Sequence, residues 1–513
     1  IILIPNYSNP MCICNFKHNS VLATRLLTLL FTALIFLCFP FFVCAQNTAK
    51  VFTKELEELK AYFKVPGLSA LVIQNDSVVY ENYLGYANLE KQITLDSLVT
   101  FPIASITKLY SATLLMKLVE QGKLSLKDTA NSYLESSKLN DEIQVKHLLS
   151  HTSQGNIGEQ FFYSYRFGLL TQIMEKASGT SFKDLMEREI IQPLGLKNTF
   201  LLKDSIQLAS KKSLLAAPYT WEGTIKKGFV DYGHSSSAGI VTTARELQLF
   251  NTALDNNKLI SKASKAILFK GLGKELPYAY GIFKQKIEGL EVLWVYGQYD
   301  CYSSLLLKVP SKNISLVLLG NNNLLSDPAR LIMGDISSSL FALSFLKNYV
   351  LGKSDIPLLE SPDQVYTSSF SKETIYKKKV LAQALAASFM ARFDTKNHGV
   401  SATFVQKTLA QYPNVTEYGT IALLHNLSFL KTVAFHRDLG IFDTFDDELE
   451  MLGNALLEKT PNDPYVLYYM GNFYDGKDNP EKAKLCFETI VNLENFSPHW
   501  YTNDAKNWLQ EHP

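Results

Sequence analysis

Strand-like sequence at both ends of one long segment, with helical sequence between, is the feature that most constrains the fold of this chain. Residues 68–73 and 77–83 are rich in β-branched and aromatic side chains, and Asn75-Asp76 between them is a tight-turn pair. Similar composition returns in three later stretches, at 292–296, 302–309 and 314–319. This arrangement predicts an α+β fold in which the terminal strands share one antiparallel β-sheet flanked by helices.

The first strongly helical run between these strands opens on a serine and a lysine three residues apart. It begins in Phe101-Pro102-Ile103-Ala104-Ser105-Ile106-Thr107-Lys108 and ends near Gly122. On a helix, Ser105 and Lys108 lie on one face, so the amine can reach the hydroxyl. A serine hydroxyl becomes a useful nucleophile beside a proton acceptor, and the start of a helix adds an electropositive setting. The spacing therefore predicts a nucleophile and its base.

The length of 513 residues exceeds one ordinary domain, and the composition changes near residue 346. A Pro- and Ser-rich stretch is followed there by almost continuous helical sequence. Within it, one set of residues falls at the offsets of a tetratricopeptide-type helical hairpin: Leu467, Met470, Gly471, Tyr474, Ala483, Phe487 and Ile490. We predict a signal peptide region at 1–45, a catalytic α+β domain at 46–345, a linker at 346–370 and a C-terminal all-α helical-hairpin domain at 371–513.

The N-terminal segment has the pattern of a secretory leader. Basic residues up to Arg25 precede an apolar run at 26–45, and a cleavage site is expected before Gln46. The run is nearly long enough to span a membrane, so an uncleaved anchor is the alternative. The mature protein is therefore expected to be exported to the periplasm or the outside of the cell. Only Cys301 and Cys486 lie beyond the leader, which predicts no disulfide framework.

Charge and metal-ligand spacing narrow the range of functions. The chain has 50 basic and 49 acidic residues, so it carries no electrostatic signature of nucleic-acid binding. His147 and His151 are four residues apart but lack the glutamate of a zinc-binding His-Glu-x-x-His motif. We therefore expect no metal, no cofactor and no nucleic-acid partner.

Several ordered motifs together resemble one known family. They are the stretch from Phe101 to Lys108, His147-Leu148-Leu149-Ser150-His151-Thr152-Ser153, Gln192-Pro193-Leu194-Gly195-Leu196 and Ala238-Gly239-Ile240-Val241-Thr242-Thr243. Over about 67–345 the chain resembles the serine β-lactamase and penicillin-binding protein superfamily, closest to the class C-like β-lactamase-related hydrolases. In that family the Ser-x-x-Lys serine is the acylated nucleophile, which implies this role for Ser105.

The second motif of the family, Tyr-x-Asn, is altered in this chain. Alignment without a gap from the following paired leucines places Phe162 at the tyrosine and Ser164 at the asparagine. Alignment by residue type places Tyr163 at the tyrosine, with a short deletion after it. We prefer Tyr163 as the third catalytic residue because a phenol can relay a proton and a phenyl ring cannot. The asparagine is absent under both alignments, and Ser164 is the nearest candidate for substrate binding.

The third motif, Lys-Thr-Gly or His-x-Gly, corresponds here to Tyr296-Gly297-Gln298. Tyr296 stands where a cation or imidazole is usual, and a neutral phenol adds no charge for the carboxylate that typical substrates carry. The resemblance implies that this strand binds substrate through these three residues. It also implies that N–H groups of Ser105 and of the strand near Tyr299 form an oxyanion hole.

Together these features predict an exported serine hydrolase that cleaves amide or ester bonds. Ser105 would form an acyl-enzyme with Lys108 as base and Tyr163 as helper. The resemblance implies a small amide or ester, a D-amino-acid peptide or a β-lactam as substrate. The alternative is a non-catalytic relative that binds a peptide or cell-wall fragment and recruits a protein partner through its C-terminal helices.

Overall fold

The computed structural model describes residues 47–135, 138–203, 214–231, 233–393, 398–411, 421–436, 446–497 and 499–513. The predicted leader at 1–45 lies outside these residues. The chain divides into two compact units, Ile1–Phe52 and Thr53–Pro513. In the first unit the described residues, 47–52, are helical. Within the described ranges we find no helix that is long and apolar enough to cross a membrane.

A seven-stranded antiparallel sheet forms the centre of the second unit, in the order β3-β2-β1-β12-β11-β10-β9. The first and last of the predicted strands meet in it, because Leu68 of β1 pairs with Gly320 of β12. The α+β prediction is confirmed. The strands are Gly67–Gln74 (β1), Ser77–Asn88 (β2), Ile93–Thr94 (β3), Phe101–Pro102 (β4), Phe200–Leu201 (β5), Tyr219–Trp221 (β6), Ile225–Lys227 (β7), Ile240–Thr242 (β8), Phe283–Ile287 (β9), Leu290–Tyr299 (β10), Tyr302–Val309 (β11) and Ile314–Gly320 (β12).

Local turn chemistry fixes the register of the sheet. Asn75 and Asp76 have φ angles of 50° and 64°, so both occupy the left-handed region that a two-residue hairpin turn requires. Asn313, with φ 45°, ends the turn that joins β11 to β12. The side chains of β12 are buried along its whole length, as expected for a strand covered on both faces.

Helices cover this sheet and continue to the C-terminus. They are 47–62 (α1), Thr107–Glu120 (α2), Val145–Leu149 (α3), Leu170–Ser178 (α4), Phe182–Met186 (α5), Gln192–Leu194 (α6), Ala244–Asp255 (α7), Lys262–Lys270 (α8), Leu340–Phe345 (α9), Pro362–Thr367 (α10), Thr374–Ala391 (α11), His398–Gln411 (α12), Ile421–His436 (α13), Asp446–Lys459 (α14), Pro464–Asp475 (α15), Pro480–Val491 (α16) and Trp500–Glu511 (α17).

Helix α2 is the buried centre of the helical layer. Every residue from Thr107 to Met116 is buried, polar ones included, so this helix is enclosed rather than amphipathic. It follows a short 3-10 turn, Ala104–Ile106, and ends before Gly122, whose φ of 69° stops it. The position of Ser105 at the start of this helix is thus set by the core of the domain.

A buried ion pair joins the two ends of the sheet domain. Lys347 Nζ lies 2.5 Å from Glu55 Oε1, and the two side chains are 1% and 7% exposed. Ser344 and Asn348 donate to the other oxygen of Glu55 at 2.6 and 2.7 Å. Burial raises the pKa of Glu55, and the Lys347 charge opposes that shift. The ionised form of buried Glu55 is therefore stabilised by the charge of Lys347.

The predicted helical hairpin of the tail is present as α15 and α16. Gly471 faces Phe487, and a Cβ atom on Gly471 would lie 2.8 Å from the phenyl ring, so a small residue is required where the helices touch. The assignment to the tetratricopeptide class and the exact domain boundaries stay predictions. Cys301 and Cys486 are free and buried.

Candidate active site

Ser105 lies in a 3-10 turn that neighbouring strands hold from two sides. The N–H of Ile103 donates to Ile240 O of β8 at 2.9 Å. The carbonyl of Ile103 accepts a hydrogen bond from Ser304 Oγ of β11 at 3.0 Å. Ala104, between Ile103 and the serine, has φ 43°, a conformation that costs a non-glycine residue free energy and is kept only where the surroundings impose it. The Ser105 turn is therefore held rigidly.

Gly297 allows β10 to pass directly against this turn. A Cβ atom at Gly297 would lie 2.0 Å from Ile103 O and 2.3 Å from Ser304 Oγ. Both distances are far below van der Waals contact, so no other residue fits here without displacing the strand or the turn. The structure thus places Gly297, which was predicted to bind substrate, underneath the nucleophile as a spacer.

Lys108 is next to Ser105, as the spacing predicts. Its Nζ lies 2.9 Å from Ser105 Oγ and 3.2 Å from Ser237 O. The lysine is 4% exposed, and within the described parts of the chain no carboxylate forms an ion pair with it. Ser105 itself is half-buried and remains open to solvent. A buried amine in contact with a partly exposed hydroxyl is the arrangement that general-base activation of serine requires.

Tyr163 approaches Lys108 with the face of its ring. The amine lies 5.0 Å from the Tyr163 ring centroid and 5.6 Å from that of Phe167, both within cation–π range. The Tyr163 hydroxyl forms no hydrogen bond within the described ranges. Phe162, the other candidate for the tyrosine position, turns away and packs on Tyr465 and Phe496 of the C-terminal region, at 5.7 and 5.1 Å. Of the two, Tyr163 is the one beside the lysine.

Ser164 is occupied by local backbone contacts. Its Oγ accepts the N–H of Arg166 at 3.1 Å and so caps the 3-10 helix Tyr165–Leu169. Its own N–H donates to His151 Nδ1 at 2.9 Å. The side chain is buried and does not replace an asparagine that reaches toward substrate.

His151 belongs to the site, although the sequence drew attention to it only within a family motif and in a zinc-ligand spacing, and predicted no role for it. Its ring stacks on Tyr163 at 4.3 Å with an interplanar angle of 26°. Burial holds the pKa of His151 well below 6.5, so the ring is neutral. Because Nδ1 accepts from Ser164, the proton is on Nε2, which is buried without a hydrogen-bond partner in the described structure. The backbone of His151 has φ 52°, in the left-handed region, which the sequence did not indicate.

The other predicted strand residues differ in exposure. Tyr296 is 6% exposed and lies 6.0 Å from Tyr163, centroid to centroid. Burial raises the pKa of Tyr296 well above 10, with the charge of Arg330 partly opposing that shift. Gln298 is exposed and accepts a hydrogen bond from Ser326 Oγ at 3.3 Å. Tyr299 is half-buried, and burial, with Asp231 nearby, raises its pKa to about 12.

The register of β10 indicates which backbone amide borders the site. Lys284 of β9, paired with Leu293, donates its N–H away from β10, to Pro277 O at 2.8 Å. Ladder bonds alternate along an antiparallel pair, so Leu293 and every second residue after it bond to β11. Gln298 belongs to the alternate set of residues, whose N–H groups point away from β11, toward the β9 side. It lies beyond Trp294, the last residue of β10 that pairs with β9. The register therefore favours the Gln298 N–H, one residue before Tyr299, as the second oxyanion donor.

No metal centre accompanies these residues in the part of the chain that the structure describes, where His, Cys, Asp and Glu side chains form no group of three that could hold an ion. His147 has a structural role, because its Nδ1 accepts the N–H of Gln144 at 3.1 Å at the start of α3. The site is thus built from a serine, a lysine, aromatic rings and backbone amides.

Comparison with known proteins identifies relatives of this arrangement. The β-lactamase family model matches residues 52–331. Protein flp of Staphylococcus aureus strain MW2 is 24% identical over 305 residues, which cover 50% of this chain and 60% of the relative. A β-lactamase of Pseudomonas fluorescens is 25% identical over 346 residues, covering 54% and 95%. The chain thus spans about three fifths of the first of these relatives.

One solved structure has the same fold. The octameric penicillin-binding protein homologue from Pyrococcus abyssi superposes with a TM-score of 0.51 and is 24% identical. The match covers 59% of this chain and 77% of the homologue.

Proposed function

Because the chain belongs to the β-lactamase family, within the serine β-lactamase and penicillin-binding protein superfamily, we propose that it is a serine hydrolase that works through an acyl-enzyme on Ser105. The observation that carries this proposal is the 2.9 Å contact between Lys108 Nζ and Ser105 Oγ. It supplies the nucleophile and the base on one helical turn that the fold holds rigidly.

In the first half of the reaction, Ser105 Oγ attacks the carbonyl carbon of the substrate while its proton passes to the Lys108 amine. The carbonyl oxygen becomes an oxyanion, for which the N–H groups of Ser105 and Gln298 are the proposed donors. The tetrahedral intermediate then collapses, the bond to the leaving group breaks, and the lysine returns the proton to that group. In the second half, water gives a proton to the Lys108 amine and attacks the acyl carbon. The new tetrahedral intermediate collapses, the bond to Ser105 Oγ breaks, and the lysine returns the proton to Oγ.

The aromatic wall has a defined part in this scheme. Lys108 becomes an ammonium ion during proton transfer, and the faces of Tyr163 and Phe167, 5.0 and 5.6 Å away, stabilise that charge. His151, kept neutral, adds no like charge beside it. The hydroxyl of Tyr163 acts as a second proton carrier only after its side chain turns toward Ser105. Hydrogen bonds of this kind often form only when substrate is bound.

The proposed substrates are small amides or esters, D-amino-acid peptides and β-lactams. Support comes from the names of the relatives, which include a β-lactamase and a putative penicillin-binding protein, PbpX, of Bacillus subtilis. We also propose that the chain acts outside the cytoplasm, as the apolar run at 26–45 indicates. Fractionation of expressing cells tests this, and a full-length protein confined to the cytoplasm would contradict it.

Covalent labelling of Ser105 tests the acyl-enzyme. The full chain is exposed to a fluorophosphonate or penicillin probe, and the adduct is located by mass spectrometry. We expect a single adduct on Ser105 that is lost in Ser105→Ala. Ser111→Ala is the matched control: Ser111 is buried in the same helix, and its hydroxyl has no hydrogen-bond partner among the described residues. Labelling that survives in Ser105→Ala refutes the proposal.

A second candidate function is a non-catalytic binder of a peptide or cell-wall fragment. The contacts of Ser164 favour it, because the hydroxyl that was predicted to bind substrate instead accepts the Arg166 N–H at the start of a 3-10 helix. Saturable binding of a penicillin probe, without an adduct and without turnover of nitrophenyl esters, would support this candidate. Ester hydrolysis by the wild type that is lost in Lys108→Ala supports the enzyme.

A further inference from the structure

Cationic side chains gather where the loop after β12 meets the C-terminal helices, outside the Ser105 site. Arg330, in this loop, has φ 48°, and its Nη1 donates to Asp327 Oδ1 at 3.0 Å. Ser326 of the same loop donates to Gln298 Oε1, which joins the loop to the end of β10. The loop that carries Arg330 therefore contacts the end of the strand that lines the catalytic site.

The tail contributes a second guanidinium. Arg392, directly after α11, lies over the ring of Phe429 of α13 at 4.0 Å, an arrangement that suits a partly desolvated guanidinium. Burial lowers the pKa of Arg392, and the Arg330 charge lowers it further while Asp327 opposes both. Arg392 thus packs on α13, the helix that also contacts the Arg330 loop through the hydrogen bond from Asn426 to Pro328 O.

His425 of α13 completes the group. It is 5% exposed, lies 4.6 Å from the Phe429 ring, and shares a hydrogen bond between its Nδ1 and the Tyr469 hydroxyl. Its neighbour Asn426 donates to Pro328 O at 3.3 Å, so α13 is held against the loop that carries Arg330. Burial, reinforced by the two arginines, lowers the pKa of His425 to about 2, and the imidazole is neutral.

The group includes buried donors that no acceptor meets, although the neighbouring Asn426 Oδ1 is also a buried acceptor without a partner in the described structure. Within the described ranges, Asp327 is the only acid that forms an ion pair with either guanidinium, and it pairs with Arg330. Arg330 Nε and His425 Nε2 are both buried, and neither has a hydrogen-bond partner in the described structure. When Tyr469 donates to Nδ1, Nε2 carries the proton and is a second unused donor. Buried polar groups left without partners are rare in native proteins and call for an explanation.

We propose that Arg330, Arg392 and His425 form a binding site for an oxyanionic group, a carboxylate or a phosphate, at the border of the catalytic cleft. A guanidinium pairs with both kinds of group through two parallel hydrogen bonds, and a neutral imidazole N–H adds a third donor. The site supplies the positive charge that Tyr296, as a phenol, cannot supply from β10. It depends on the tail, because two of its three members come from helices after residue 370.

The favoured source of the anion is the free carboxylate of a short peptide substrate, and this part rests on the proposed function. Gln298, whose N–H is the proposed second oxyanion donor, also accepts the hydrogen bond from Ser326 of the Arg330 loop. A short peptide whose reacting carbonyl lies at that N–H would extend past the end of β10 toward this loop.

Anion binding is measured first, without any need for catalysis. The full chain is melted in inorganic phosphate and in chloride at equal ionic strength. We expect phosphate to raise the melting temperature by about 2–4 °C and the rise to be mostly lost in Arg330→Met. Arg188→Met, which removes an exposed arginine paired with Glu189, keeps the full rise. An equal rise in Arg330→Met and wild type, or no rise in either, overturns the site.

Substrate pairs then identify the source of the anion. Two short depsipeptides are compared in which the scissile ester joins the acyl group to a hydroxy acid, and which differ only in whether that hydroxy acid ends in a free carboxylate or a carboxamide. If the substrate supplies the anion, KM for the carboxylate is about tenfold lower than for the carboxamide, and Arg330→Met narrows that ratio to about twofold. Equal KM values together with the phosphate effect assign the site to a free anion. If Arg330→Met does not fold, Arg330→Lys replaces it and should keep part of the phosphate effect.

These outcomes are separable from failure of the proposed function. A protein without an adduct on Ser105 that still shows the Arg330-dependent phosphate effect would have the anion site without the hydrolase activity. A protein that is labelled on Ser105 but shows neither the phosphate effect nor a carboxylate preference would be a hydrolase without this site.

Discussion

Substitution of Gly297 by alanine should separate the catalytic turn from β10 and reduce both stability and activity. The added Cβ would lie 2.0 Å from Ile103 O, whereas a carbon and an oxygen in contact are about 3.2 Å apart. The strand or the turn must therefore move by about 1 Å. Overpacking of this kind costs about 1–3 kcal/mol. Loss of the Ser304 hydrogen bond to Ile103 O adds about 1 kcal/mol.

The displacement should affect catalysis more than folding, because Ser105 lies two residues after Ile103. A misplacement of about 1 Å can lower a rate by about 100-fold. We expect Gly297→Ala to lower the free energy of unfolding in urea by about 2–4 kcal/mol. In the same protein, kcat for a nitrophenyl ester should fall by about 100-fold.

Gly273→Ala is the matched control for this experiment. Its φ is not in the left-handed region, and no atom lies within 4 Å of its added Cβ. We expect it to change stability by at most about 1 kcal/mol, and in the stabilising direction. If Gly297→Ala keeps wild-type stability to within about 0.5 kcal/mol together with full activity, the account of Gly297 as a required spacer is refuted.

The remaining predictions concern the base, its aromatic neighbours and two buried charges. Lys108→Met keeps the packed stem and should lower kcat by about 10²- to 10⁴-fold in a steady-state ester assay. Tyr163→Phe keeps the ring over the amine; a loss above about 100-fold in the same assay would assign proton transfer to the hydroxyl, and a loss below about fivefold would assign its role to the ring. Lys347→Met leaves Glu55 buried without its cation and should lower the urea-unfolding free energy by about 3–5 kcal/mol; a loss below about 1 kcal/mol would contradict this. The folded pKa of His151 lies below the unfolded value, so the unfolded chain binds its proton first as pH falls. The stability that neutral His151 contributes is present above about pH 6.5 and should be lost at about 1.4 kcal/mol per pH unit below that pH. Between pH 7.5 and pH 5.0 the urea midpoint should therefore fall less in His151→Gln than in the wild type.

Features that depend on local sequence could be predicted well. The strands at 302–309 and 314–319 were located to within a residue because their composition and turn residues specify them locally. The contact between Ser105 and Lys108 also followed from spacing alone, since residues three apart on a helical turn must be neighbours. The enclosure of α2, in which every residue from Thr107 to Met116 is buried, did not follow from that spacing.

Features that depend on distant residues could not be predicted in this way. Phe162 packs on Tyr465 and Phe496 from the far end of the chain, and Tyr163 is left beside Lys108. The role of Gly297 follows from a carbonyl at Ile103, and nothing in the sequence near Gly297 indicates that approach. Such contacts arise from tertiary packing, which a periodic pattern does not encode.

The tail shows why the chemistry of this site cannot be assigned from the catalytic motifs alone. Arg166, just after Tyr163, donates to Ser153 O at 2.6 Å and to Ser497 Oγ at 2.7 Å, so one side chain joins the loop that forms the aromatic wall to the C-terminal region. The Ser497 N–H in turn donates to Gln154 Oε1 at 2.8 Å. The tail thus supports the segment that positions Tyr163, and the same tail supplies Arg392 beside Arg330. Under the anion-site proposal, this tail supplies the positive charge for an anionic substrate that the motif alignment does not provide at Tyr296.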